Sequence, residues 1–257
     1  MTQFCASFVK TLKTFLRIRG VLLWTLAWPV LLLVVVTTTA LGAYSGSILA
    51  MAKGSTTISM AVFSVVLAGF ANLASSAARD RETGLLAKLK SMPVNPASDL
   101  LGRVGALAIL SVLGTALVTA AGLALGAQFD ASAGSILGAV GFLFLMILGA
   151  AGVGLVIGSL VRALQTAVFL GIGLAVVSLY ATGIFVPYTS LPAALQAFAR
   201  VYPISSSASS IAYLLLGRDG AGYNPLTTTQ LATTVALSCA FLAIGAFLHS
   251  RLLSQRD

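Results

Sequence analysis

Six charged side chains crowd into residues 79–90 of a 257-residue chain in which only 8% of residues are charged. Arg79, Asp80, Arg81 and Glu82 come first, and Lys88 and Lys90 follow. Leu85, Leu86, Leu89 and Met92 recur at helical spacing, with the lysines off that face. A cluster this dense is too costly to place in hydrocarbon, which sets it in water at a membrane surface. Pro93 and Pro96 then stop the helix. The chemistry on offer is recognition rather than reaction. An apolar stripe framed by charge suits docking into a groove on a soluble partner. The plainer alternative is a solvated loop whose leucines rest on lipid headgroups.

Groups suited to catalysis are scarce. There is no phosphate-binding loop of the form G-x-x-x-x-G-K-[ST], and no Gly-Lys dipeptide at all, so the chain does not hydrolyse ATP by that route. The single histidine, His249, falls at the end of the last apolar run, where a headgroup contact is expected rather than a base facing a buried serine. No acidic residue lies in the middle of an apolar run, which counts against proton-coupled carriers and ion pumps. Cys5 and Cys239 make neither a disulfide framework nor a metal spacing. Thr38, Asn72, Thr115 and Gln165 are the candidates to line a pathway; the alternative is that such groups bond back to their own helix or across to a neighbour.

The elements that position these residues are apolar runs. Hydrophobic residues make up 58% of the chain and the mean hydropathy is +1.03, far from a soluble domain. The expected class is an all-α polytopic membrane protein, with spans at about residues 21–44, 57–78, 100–126, 135–160, 164–186 and 226–248. Before the first span, residues 4–19 place Phe4, Phe8, Leu12, Phe15 and Leu16 on one side of a helical wheel, with Lys10, Lys13 and Arg17 on the other. This predicts an interfacial helix lying flat on the membrane. Gly46, Lys53 and Gly54 are expected in a short loop. Residues 187–226, punctuated by Pro187, Pro192, Pro203 and Pro225, hold apolar pieces too short to cross, suited to interfacial or re-entrant helices. Ala150, Gly154 and Gly158, like Gly122 and Gly126, are spaced by four for close helix approach.

The net charge of +9 does not indicate a nucleic-acid partner, because the cations sit at the ends of apolar runs. With the N-terminus inside, twelve Lys and Arg residues fall in cytoplasmic segments, and only Lys53, Arg200 and Arg218 fall outside. That bias puts both termini and the charged stretch in the cytoplasm, as an even number of spans requires.

Six spans, an amphipathic N-terminal helix and a charged first inner loop resemble the permease subunits of type-2 ABC exporters. The loop carries the pattern Arg81-Glu82-x-Gly84-x-Leu86-x-x-Leu89-x-x-x-Pro93-Val94. A second stretch, Leu191-Pro192 through Tyr202-Pro203, is similar to the family's segment between spans five and six. The resemblance covers the whole chain in topology and implies a single transmembrane domain, residues 1–257. It further implies two permease copies, identical or related, above two separate ATP-binding subunits that carry the ATP and magnesium; this chain holds no cofactor. Residues 79–96 would form the coupling helix, with Arg81, Glu82, Gly84, Leu85, Leu86, Leu89 and Pro93 at or near the ATPase. Pro187, Leu191, Pro192, Tyr202 and Pro203 would close the exit in a re-entrant outer segment. The chain lacks the large outer domain that some branches carry. The implied function is export across the cell (inner) membrane, with a hydrophobic drug, lipid or peptide as cargo. The competing reading is an ATP-independent secondary carrier or an intramembrane enzyme.

Overall fold

The computed structural model describes residues 2–17, 23–42, 44–84, 95–129 and 132–254, and every regular element in them is helical. In order these are α1 (Thr2–Arg17), α2 (Leu23–Thr39), α3 (Gly46–Leu67 continuing through Ala68–Leu73 and Ala74–Glu82), α4 (Pro96–Ala124), α5 (Ala133–Leu160), α6 (Leu164–Ala181), α7 (Ala193–Val201), α8 (Pro203–Leu216) and α9 (Thr228–Ser254). Among the described residues five helices, α3, α4, α5, α6 and α9, are long and apolar enough to cross a membrane. The expected first span appears as α2, which is apolar but shorter than these. The chain is thus an all-α polytopic membrane protein.

The boundaries of α4, α5, α6 and α9 fall close to those expected from hydropathy. The second span does not. The loop expected around Gly46, Lys53 and Gly54 is already helix, and α3 continues through Arg79–Glu82 instead of stopping before the charges. Both extensions have a polar cause. Lys53 Nζ donates to the Leu125 carbonyl at 2.8 Å, closing the end of α4. The charges at the other end are taken up by neighbouring helices. Gly84, at φ +69°, then ends α3 in the left-handed conformation that glycine adopts at least cost.

α3 forms the centre of the bundle, with Leu67, Phe70, Leu73 and Ala74 almost wholly buried. Its middle turn, Ala68–Leu73, is a wider π-helical turn. Here the spaced small residues are used. A β-carbon on Gly154 would lie 2.0 Å from the Gly69 carbonyl oxygen, and one on Gly171 would lie 2.3 Å from that of Phe70. Gly158 meets Ala74 and Ala77, and Gly122 meets Thr57. The close approaches that small residues permit are therefore made inside one chain, around α3.

The N-terminal helix also differs in detail. α1 buries Ser7, Thr11 and Phe15 against α4, where Gly102 lets the two backbones meet. Phe4, Val9 and Leu16 stay exposed. Part of the face expected to lie on lipid is therefore packed on protein.

Candidate functional site: the charged end of the bundle

Not all the charges that open the stretch 79–90 lie loose in water. Asp80, on the last turns of α3, is only 5% exposed. Arg103 of α4 is 1% exposed and donates to Asp80 Oδ2 at 2.5 Å and to Asp99 Oδ2 at 2.8 Å. Lys10 of α1 reaches the same Asp80 oxygen at 2.7 Å. Ser7 donates to Asp99 Oδ1 at 2.7 Å, and His249 Nε2 stands 3.2 Å from Asp99 Oδ2. One network therefore ties α1, α3, α4 and α9 together. Two carboxylates face two cations, so with His249 neutral the group closes at zero net charge, the condition under which charge can be buried.

His249 is the clearest departure from expectation. It is 3% exposed and held by Asp99, not placed against headgroups. Nothing local in the sequence announces a partner 150 residues away. A signal did exist for Arg103: an Asp and an Arg spaced i, i+4 at the start of an apolar helix, with Asp80 just upstream.

Arg81 and Glu82 face the other way. Arg81 Nη2 donates to the Ser159 carbonyl at 2.7 Å and Nη1 to that of Val161 at 3.4 Å, so the guanidinium sits on the C-terminal carbonyls of α5. Glu82 Oε1 accepts the Leu164 N–H at 2.6 Å, at the first turn of α6. A cation on a helix C-terminus and an anion on a helix N-terminus both complement the helix dipoles. Together they clamp the short turn Val161-Arg162-Ala163. Gly84 is described; Leu85, Leu86, Leu89 and Pro93 lie outside the described residues.

At the far end, Pro187 lines a cavity of about 620 Å³ between α2, α3, the end of α6 and the segment that follows it. Leu191 is buried and sits within reach of Gly183, where φ is +77°. Pro192 and Pro203 introduce α7 and α8, Pro203 at the first turn, where a missing N–H costs nothing. Tyr202 joins these two helices and stacks on Phe198 at 5.3 Å. Burial pushes its phenol up to about 12, the hydroxyl of Ser178 opposing, so it stays neutral. Arg200 donates to the Tyr188 hydroxyl at 2.6 Å and lies over the rings of Tyr188 and Tyr223, pinning α7 to the preceding turn.

The four pathway candidates are not brought together. None of them lines the far-end cavity. Thr38 bonds back to the carbonyls of Val34 and Val35 in its own helix. Asn72 is buried and donates to Thr25, joining the π-helical turns of α3 and α2. The Thr115 hydroxyl is buried without a hydrogen-bond partner among the described residues. Gln165 is exposed near the start of α6. Among the described residues no group of three His, Cys, Asp or Glu side chains gathers to hold a metal.

Apolar helices around a charged, clamped end describe a membrane protein whose central helix is bonded at its last turn to the neighbouring helices. The sequence matches the ABC-2 type transporter family over residues 2–216. The chain belongs to that family. A comparison with curated proteins finds none that matches. Membership makes this ABC-2 chain a membrane permease domain, in agreement with the resemblance carried by the Arg81–Val94 pattern.

Proposed function

We propose that this ABC-2 chain is the transmembrane permease subunit of an ATP-driven exporter, working as a pair of permease copies, homodimeric or heterodimeric, above two ATP-binding subunits. One observation carries the reading. The segment that leaves α3 at Gly84 is preceded by two residues bonded to the end of α5 and the start of α6. A push on that segment acts at once on three membrane helices, as a coupling element requires. ATP and magnesium belong to the partner subunit, and this chain supplies the path.

In this reading residues 1–257 form one transmembrane domain with six crossings, α2 being the first. Residues 79–96 dock on the ATPase through Leu85, Leu86 and Leu89, and Pro93 ends the docking helix. Residues 187–226 form the re-entrant outer segment, with Pro187, Leu191, Pro192, Tyr202 and Pro203 around the exit. Both termini face the cytoplasm and the protein resides in the cell (inner) membrane, consistent with the twelve-to-three distribution of cations. The far-end cavity, walled by Leu32, Val36, Met60 and Phe185 with hydroxyls such as Ser55, Thr56 and Ser209 and no charged side chain among the described residues, suits a hydrophobic drug, lipid or peptide.

The test is co-purification with the partner ATPase, followed by substrate-stimulated ATP hydrolysis in lipid. Leu89→Asp puts an unpaired charge on the docking face and is expected to weaken ATPase binding by on the order of 3–5 kcal/mol. A Leu89→Asp complex that assembles and transports normally refutes the docking reading, and purified permease that hydrolyses ATP alone refutes the division of labour.

A further inference from the structure

A second cavity, of about 440 Å³, opens beside the buried ion network, between α1 and the end of α3. Its two walls have the same spacing. α1 contributes Lys10, Lys13, Thr14 and Arg17, at i, i+3, i+4 and i+7. α3 contributes Ser76, Arg79, Asp80 and Thr83, in the identical register. Each set is one stripe of a helix, so two polar stripes face each other across the space. Among the described residues no apolar side chain lines it, in a chain that is 58% hydrophobic.

The charge in this cavity is unbalanced. Asp80 is its only carboxylate among the described residues, and Arg103 and Lys10 already hold it. Lys13, Arg17 and Arg79 find no carboxylate among the described residues. Three cations gathered around one open cleft repel one another unless an anion joins them. The hydroxyls do not supply the recognition: Thr14 donates to the Lys10 carbonyl and Thr83 to that of Arg79. The ligand is therefore an anion read by ammonium and guanidinium groups, and a phosphate fits such a set, with arginine able to engage it through two N–H groups.

The surroundings decide the source of that phosphate. At 100° per residue, Val9 and Leu16 lie on the flank of α1 next to the cationic stripe, and both are exposed. The rim of the pocket therefore continues into apolar surface on a membrane protein, as a headgroup with attached acyl chains demands. We propose that this pocket is a discrete site for the headgroup phosphate of an anionic phospholipid, held by Lys13, Arg17 and Arg79. Bound there, the phosphate bridges α1 to the charged end of α3. Lys10 lines the same space, so occupancy also bears on the Lys10–Asp80 pair that anchors α1. The site rests on the chain being embedded in a membrane and does not depend on the ATPase partnership.

The experiment uses the full chain in a zwitterionic detergent, titrated with phosphatidylglycerol, phosphatidylcholine or inorganic phosphate, with retained lipid read by native mass spectrometry. Phosphatidylglycerol is expected to bind saturably at one tight site. Lys13→Gln, Arg17→Gln and Arg79→Gln should each weaken it about five-fold, and the triple variant about a hundred-fold, in line with the worth of one cation near an anionic surface. Arg218→Gln, at the far end of the bundle, removes the same charge and should change nothing. Should the triple variant unfold, the three single variants, all on exposed side chains, decide. Unchanged binding in the variants, equal loss with Arg218→Gln, or equal retention of phosphatidylcholine overturns the site. Competition by inorganic phosphate at the lipid's own concentration makes it a soluble-anion site and overturns the lipid assignment. So does a flat lipid titration in which the triple variant instead loses the ATP-binding subunit, which gives the pocket to that protein.

Discussion

Replacing Arg103 is the sharpest test of the buried ion network. Arg103→Met keeps most of the volume and removes the charge. In the native protein the guanidinium is 1% exposed and bonded to both Asp80 and Asp99, each only 5% exposed. Without it the four-charge group holds two carboxylates against Lys10 alone. Asp99 keeps only Ser7 and His249. Breaking a buried pair by removing one partner costs about 3–5 kcal/mol, because the stranded charge has lost its water and its partner. Lys10→Met is the internal control. Its side chain is 33% exposed, so the ion pair it makes is partly screened and the loss should be no more than about 1 kcal/mol. Both variants, with the double variant Arg103→Met/Asp99→Asn, should be compared by denaturant-induced unfolding of the full chain in micelles. The double variant should recover part of the loss, since it removes the stranded carboxylate along with its partner. An Arg103→Met protein within about 1 kcal/mol of the parent would mean that water reaches the network, and the closed-charge account would fail.

Gly154→Ala forces a β-carbon onto the Gly69 carbonyl and should destabilise the bundle by about 1–3 kcal/mol in the same unfolding assay, while Gly173→Ala, which meets nothing, should not. Glu82→Ala leaves the first turn of α6 without its acceptor, and a loss of about 0.5–2 kcal/mol is expected, recovered in good part by Glu82→Gln, which keeps a side-chain oxygen. Single cysteines replacing Arg218 and Lys88 should be labelled from opposite sides of the membrane, Arg218 from outside; the reverse pattern would overturn the proposed orientation. Asn72→Ala strands the Thr25 hydroxyl between α2 and α3 and should cost about 1–3 kcal/mol without a specific effect on substrate-stimulated hydrolysis, since Asn72 lines no cavity.

The apolar runs were legible because hydropathy is local: the limits of α4, α5, α6 and α9 follow from composition alone. The start of α3 was not, because Gly46, Lys53 and Gly54 carry the signature of a loop. They are helical because Lys53 finds the end of α4 and because the Thr56 and Thr57 hydroxyls bond back to the carbonyls of Ala52 and Lys53. The charges of residues 79–82 were read correctly as special, and Arg79 and Glu82 are exposed as expected, but Asp80 is buried. The partners of Asp80, Arg81 and Glu82 sit on α1, α4, α5 and α6, and no window along the chain contains them. His249 was misread for the same reason. The segment after α6 was legible through its prolines, since Pro192 and Pro203 mark the starts of α7 and α8. The Arg200 cluster was not, since it joins side chains on three separate pieces of chain.

Apart from Ser64, which donates to the Thr25 carbonyl at 2.7 Å, the polar chemistry of α3 lies at its two ends and one turn between them, and that placement constrains how it can move. At the far end Ser59 donates to the Ile184 carbonyl and Lys53 closes α4. At the charged end Asp80, Arg81 and Glu82 engage four other helices. Between them the helix is enclosed by apolar side chains and by glycines that bring backbones into contact. Close-packed surfaces of this kind are bistable rather than continuously deformable. A helix gripped at both ends and tightly packed along its length transmits a displacement instead of absorbing it locally. The π-helical turn at Ala68–Leu73 is the exception: its hydrogen-bond ladder departs from the α pattern, at the level where Asn72 meets the matching turn of α2. Under the proposed mechanism, a push received after Gly84 travels as motion of the segment Ala74–Glu82 with α5 and α6 attached. The bend it needs falls at that turn, well short of the far-end cavity.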